Sequence, residues 1–150
     1  MSLKKLLDEK RITATKPDIN EIKDLLSLAA RDIKQAAISQ VAPDWRLAMA
    51  HNAVIQCAAA TLNACGFRAR LKGYHETLIL SLKYTVGLQN SVINRLNVFR
   101  RKRHKATYDR IEVVTEKELA EFLDLAGYVR DEVFAWLKRE HPELMEDLKD

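Results

Sequence analysis

Apolar residues recur every three or four positions along most of this chain, which predicts helices rather than strands. Leu3, Leu6 and Leu7 give a short amphipathic helix from Ser2 to about Glu9 or Arg11, which Thr13-Ala-Thr-Lys-Pro17 breaks. Ile19, Ile22, Leu25, Leu26, Ala29, Ile33 and Ala36 then share one face of a helix from Asp18 to about Ser39. Thr15 or Asp18 can cap it, and Pro17 suits its start. From Pro43 to about Cys65 the chain is apolar nearly all round and rich in alanine. That pattern predicts a central helix, closely approached by its neighbours and stopped at Gly66. A basic loop, 67–73, leads to a helix from Tyr74 to about Val86, striped by Leu78, Leu82 and Val86 and closed by Gly87.

The next helix starts near Asn90 or Ser91, with Val92, Leu96 and Phe99 facing inward. Its inner face continues to Arg103 and Ala106, before Tyr108 and Asp109 carry the chain off and 110–114 form an extended link. Thr115-Glu-Lys-Glu118 reads as a capping box. It opens a helix to about Glu140, whose Leu119, Phe122, Ala126, Val129, Val133, Trp136 and Leu137 keep the 3.6 period. His141-Pro142 ends it, and the last residues add a short terminal helix. The pattern predicts an all-α fold: an up-and-down bundle of four to five main helices, with short terminal helices, in one domain over 1–150 with its core at about 18–140.

Composition agrees with a packed helical domain, at 47% apolar and 31% charged residues with four glycines and three prolines. Cys57 and Cys65 lie eight apart in one helix, about 12 Å of rise, too far to bridge. They read as buried small apolar residues in a reducing compartment. No His/Cys cluster has metal-ligand spacing, so no metal or cofactor is expected. The first residues lack an apolar signal core, and no apolar run is long enough to span a bilayer, which implies a cytoplasmic protein without a membrane partner. Polar His51, Asn52 and Gln56 within the apolar helix read as satisfied core groups, and His75 as a neutral residue at the bundle end.

Charge distribution singles out one stretch. Residues 111–150 hold twelve acids against five bases, −7, so the first 110 carry +11 of the net +4. The densest positive run is Phe99-Arg-Arg-Lys-Arg-His-Lys-Ala-Thr-Tyr108. Arg100, Arg101, Lys102, Arg103 and Lys105 can neutralise phosphates, with Tyr108 available to stack or hydrogen-bond. An Arg/His pair such as Arg100 and His104, four apart, can hold a phosphate and move a proton. A solvated helix face, or a basic helix neutralised by the acidic residues 116–132, explains the same run. No P-loop, GxGxxG, GxSxG, HExxH or EF-hand pattern is present.

Three patches in order point further: Ala50-His-Asn-Ala53 with Gly66-Phe67, Gly73-Tyr-His-Glu-Thr-Leu78, and Leu96 to Asp109. Together they resemble the HEPN superfamily, small all-helical domains of prokaryotic toxin–antitoxin and defence systems, over roughly residues 18–137. Many members are metal-independent ribonucleases whose motif, Arg then His after four to six residues, is brought together by two protomers. The resemblance implies a homodimer, an RNA or nucleotide ligand and a partner, a minimal nucleotidyltransferase acting as antitoxin. Counting back from Tyr108, the family's His position holds Ala106 and its Arg position Arg101. His104 comes two residues early, a turn of about 200° on a helix. The expectation is therefore RNA or nucleotide binding without strong catalysis. Two alternatives stay open. One is an active endoribonuclease using His104 with Arg101 or Arg103. The other is a structural helical interaction protein.

Overall fold

Two local signals start the bundle where the sequence places them. Asp18 caps α2 (Ile19–Ala36), its carboxylate accepting from the N–H groups of Asn20 and Glu21. Thr115 and Glu118 close the capping box of α6 (Glu116–Glu140) in both directions. The computed structural model describes residues 2–108 and 114–146, with 106–108 given by backbone alone. Among the described residues the fold is all-α, with six helices and one small two-stranded ribbon. The remaining helices are α1 (Leu3–Asp8), α3 (Pro43–Ala64), α4 (Tyr74–Tyr84) and α5 (Asn90–Tyr108), and a single 3-10 turn follows at Pro142–Leu144.

Helix α3 is the central element, as its all-round apolar pattern requires, and packs on α2, α4, α5 and α6. Ala29 and Ala36 of α2, with Ala53, Ala58 and Ala60 of α3, are buried, and their small side chains let the backbones approach. Leu78, Ile79 and Leu82 of α4, Ile93 and Leu96 of α5, and Val129, Val133 and Leu137 of α6 complete the core. A second cluster, Leu47, Phe99, Leu119 and Phe122, joins α3, α5 and α6 and seats α5 through the mutually tilted rings of Phe99 and Phe122. Gly66, at φ 87°, turns the chain out of α3 in the left-handed region that disfavours a side chain.

The ribbon is a departure from the all-helical pattern. Strand β1 (Ile12–Ala14) pairs antiparallel with β2 (Phe67–Ala69), Ile12 opposite Ala69 and Ala14 opposite Phe67. Outer bonds from Thr15 N–H to the Gly66 carbonyl and from Arg70 N–H to the Arg11 carbonyl, both 2.9 Å, extend the pairing. The breaker 13–17 and the basic loop 67–73 are thus partly one ribbon. A network fixes it to the bundle. Arg68 forks onto the Glu21 carboxylate at 2.8 and 2.7 Å, and buried Asn63 donates to the same carboxylate while accepting from the Asp18 N–H.

Two boundaries also differ. Helix α4 stops at Tyr84, short of Val86, and α5 runs on through Tyr108 rather than releasing it. Between Phe99 and Tyr108 nothing but good helix formers and a single Thr intervene, and no Gly or Pro stops the turn. The extended link expected at 110–114 lies, except for Val114, outside the described residues. No described helix is long and apolar enough to cross a membrane.

Candidate functional site

The C-terminal half of α5 has three sides with different neighbours. On one edge Lys102 meets Glu118 at 3.1 Å and Arg95 meets Glu121, so part of the basic run is neutralised by α6. The Thr115 N–H, and after it Lys102, hold the Glu118 carboxyl below the usual carboxylate range. On the outer side Arg101, His104 and Lys105 are exposed. Among the described residues neither Arg101 nor Lys105 has a carboxylate partner. The inner side carries Arg100 and Arg103, three apart and half-buried where the apolar stripe of Ile93, Leu96 and Phe99 runs out.

Those two arginines lie near enough to a pair of histidines for their charge to act on both rings. His51 of α3 and His75 of α4 share a hydrogen bond, Nε2 to Nδ1 at 3.0 Å, with ring centroids 5.1 Å apart. His51 is buried, lining a small cavity with Ala50, Val54, Leu96 and Phe99. His75, in the first turn of α4, is half-buried and open to one side. Burial pushes the His51 imidazole down to about 3, and His75, Arg103 and Arg100 add to the effect. Burial, then Arg103 and Arg100, also hold His75 below its ordinary value. Every charge acting on the two rings is positive, so at neutral pH the pair is uncharged beside two guanidinium groups.

Arg103 supplies the sharpest detail. Its Nε is buried and has no hydrogen-bond partner among the described residues. A buried donor left without an acceptor costs about 1–3 kcal/mol, and here the donor belongs to a permanent charge with no carboxylate partner among the described residues. Arg100, by contrast, donates its Nε to Asn97 at 3.1 Å and keeps the rest of its fork available. The arrangement suits an oxyanion. Two arginine forks can hold phosphate oxygens at more than one point, and His75 can supply a further donor once a negative charge arrives and raises its affinity for a proton.

Of the residues marked in the sequence, Arg100 and Arg103 are half-buried and act by their charge on the histidine pair, whereas Arg101, His104 and Lys105 stay on the surface and Lys102 turns to α6. Tyr108 is the last residue of α5, and its side chain, like that of Ala106, lies outside the described residues. His51 and His75 are satisfied neutral groups, as expected, but they satisfy each other and do so against Arg103. Among the described residues no group of three His, Cys, Asp or Glu side chains could hold a metal. Burial lifts the Cys57 thiol to about 12, so it carries no thiolate chemistry.

No family model, curated protein or solved structure matches this chain. The functional reading therefore rests on the geometry above and on the sequence patches.

Proposed function

We propose that the protein binds single-stranded RNA through the C-terminal half of α5, and that it does so as a binder without strong catalysis. The observation that carries this reading is the buried, unpartnered Nε of Arg103, set beside Arg100 and the His51–His75 pair. A phosphate oxygen answers that donor and balances a charge that no described carboxylate answers. Exposed Arg101 and Lys105 extend the same face and draw a polyanion toward it. The weak catalytic side follows from proton affinity. A general acid or base works best near neutral pH, and within the histidine pair His51, at about 3, is far from it, which speaks against the pair itself as the proton carrier.

In this reading the chain is a HEPN-like domain of a toxin–antitoxin or defence system. A homodimer and a nucleotidyltransferase-type partner belong to the same proposal. Ala106 at the family's His position agrees with binding rather than cleavage. The test is binding and cleavage of a labelled RNA oligonucleotide across a salt series, with His104→Ala alongside the unaltered protein. Binding that weakens steeply with salt, and no cleavage in either protein, is the expected result. Cleavage abolished by His104→Ala would replace this reading with the endoribonuclease one, and the absence of salt-sensitive RNA binding would remove it.

A further inference from the structure

On the far side of α4 from the histidine pair lies a groove of about 1000 Å³, between the β1–β2 ribbon and the start of α4. Five bases line it, Lys10, Arg11, Arg68, Arg70 and Lys72, against two acids, Glu9 and Glu76. Two of the five are committed. Arg68 is held by Glu21, and Arg11 donates its Nε to the Thr77 hydroxyl at 3.1 Å. Lys10, Arg70 and Lys72 are exposed and have no carboxylate partner among the described residues. Glu9 is itself drawn toward Lys5, 3.9 Å away. The groove is therefore positive because of groups that the fold does not use.

Helix geometry relates this groove to the site on α5. His75 faces His51, and Thr77 receives Arg11. The two residues are two apart on α4, so their side chains diverge by about 200°. The groove and the Arg100/Arg103 site thus flank opposite sides of one helix turn, separated by roughly a helix diameter, about 10 Å. No single phosphate reaches both, whereas successive phosphates of one chain do.

We infer that this groove is a second phosphate-backbone site, and that one RNA strand passes over the first turn of α4 from Arg100 and Arg103 to Arg70 and Lys72. The inference rests on the proposed RNA-binding role of α5 and narrows it, making the ligand a polymer rather than a free nucleotide. Two basic sites about a helix diameter apart suit a sugar-phosphate chain, which carries a negative charge at every residue of its backbone.

The test uses the full chain with Arg70→Ala and Lys72→Ala combined. Both residues are exposed, and neither makes a side-chain bond that holds the fold, so an unchanged melting curve should accompany the variant. Anisotropy titrations compare a labelled RNA long enough to cross α4 with a dinucleotide. For the long RNA, affinity should fall about tenfold at low salt, and the log–log salt slope should shrink by about 1.4, two single-strand phosphate contacts. Dinucleotide binding should be unchanged. If the unaltered protein binds the long RNA and the variant binds it equally well, the groove inference is wrong while the α5 reading stands. If the unaltered protein binds neither RNA at low salt, the α5 reading falls and the inference with it. A polyglutamate peptide that displaces the long RNA from the unaltered protein at equal concentration overturns the nucleic-acid assignment.

Discussion

Replacing Arg100 and Arg103 together by alanine should weaken binding of single-stranded RNA by about 100-fold or more at low salt. Each guanidinium that meets a phosphate makes charge-assisted hydrogen bonds worth about 1.5–3 kcal/mol, and every 1.4 kcal/mol is tenfold in affinity. Removing two phosphate contacts should also flatten the log–log salt dependence by about 1.4. The same change should not destabilise the fold. It deletes the buried Nε that has no partner, and with it the positive charges that press on His51 and His75. Thermal stability should therefore hold or rise while binding is lost, a combination that a merely structural pair of arginines would not give. Arg103→Lys separates charge from geometry. A lysine keeps the charge but not the planar fork, so it should recover only part of the affinity. Titrations with a labelled oligonucleotide at several salt concentrations, beside melting curves, check all of this. Unaltered affinity and slope in the double variant would count against the site.

The second large effect concerns acid. His51 ordinarily titrates near 6.5 and is held at about 3 in the folded chain. Its folded-state affinity for a proton is thus lowered, and the unfolded chain takes up the proton first. Stability is fully present above 6.5 and is lost as pH falls toward 3. Each unit below 6.5 removes about 1.4 kcal/mol. Between pH 6.5 and 4.5, before the carboxylates that are held low in the fold begin to titrate, the loss amounts to roughly 2 to 3 kcal/mol. For a chain of this length that is a fall of roughly 5–10 °C in melting temperature. His75, shifted in the same direction, adds to it. His51→Gln retains an amide that can meet His75 but does not titrate, so its melting temperature should fall clearly less over that window, by the contribution of His75 alone. A variant as acid-sensitive as the unaltered chain would show that another group sets the limb.

Much of the fold was legible because single residues announce it. Asp18, the Thr115–Glu118 box and the stripe from Leu119 to Leu137 specify two long helices on their own, and the alanine-rich Pro43–Ala64 segment can only be central. The ribbon was hidden because its strands are three residues each, too short for a period of two to register, and their partner lies 55 residues away. The reach of α5 was underestimated because Tyr108 was read as an exit, although nothing before it breaks a helix. The positive stretch itself is visible as charge, and of its residues that turn inward Arg103 is legible but Arg100 is not. Arg103 was marked by its place on the inner face. Its electrostatic reach to His51 and His75 depends on packing of α3, α4 and α5, which joins residues 24 and more apart. A polar histidine within a mostly apolar helix is, beside Arg103's place on the inner face, a sequence sign of that meeting. The acidic segment 116–132, one way to neutralise the run, meets it among the described residues through Glu118 at Lys102, while Glu121 meets Arg95, which precedes the run on the same helix.

The most direct test of the central claim follows the ring protons of His75 by NMR from pH 8 to pH 5, with and without bound oligonucleotide. In the free protein burial and the two arginines hold His75 below its ordinary value. A phosphate seated between Arg100, Arg103 and the histidine pair adds negative charge next to the ring and favours its protonated form. The account predicts that the His75 midpoint rises when RNA binds and that binding tightens as pH falls. A midpoint that stays where it was, with RNA demonstrably bound, would place the phosphate elsewhere and contradict it.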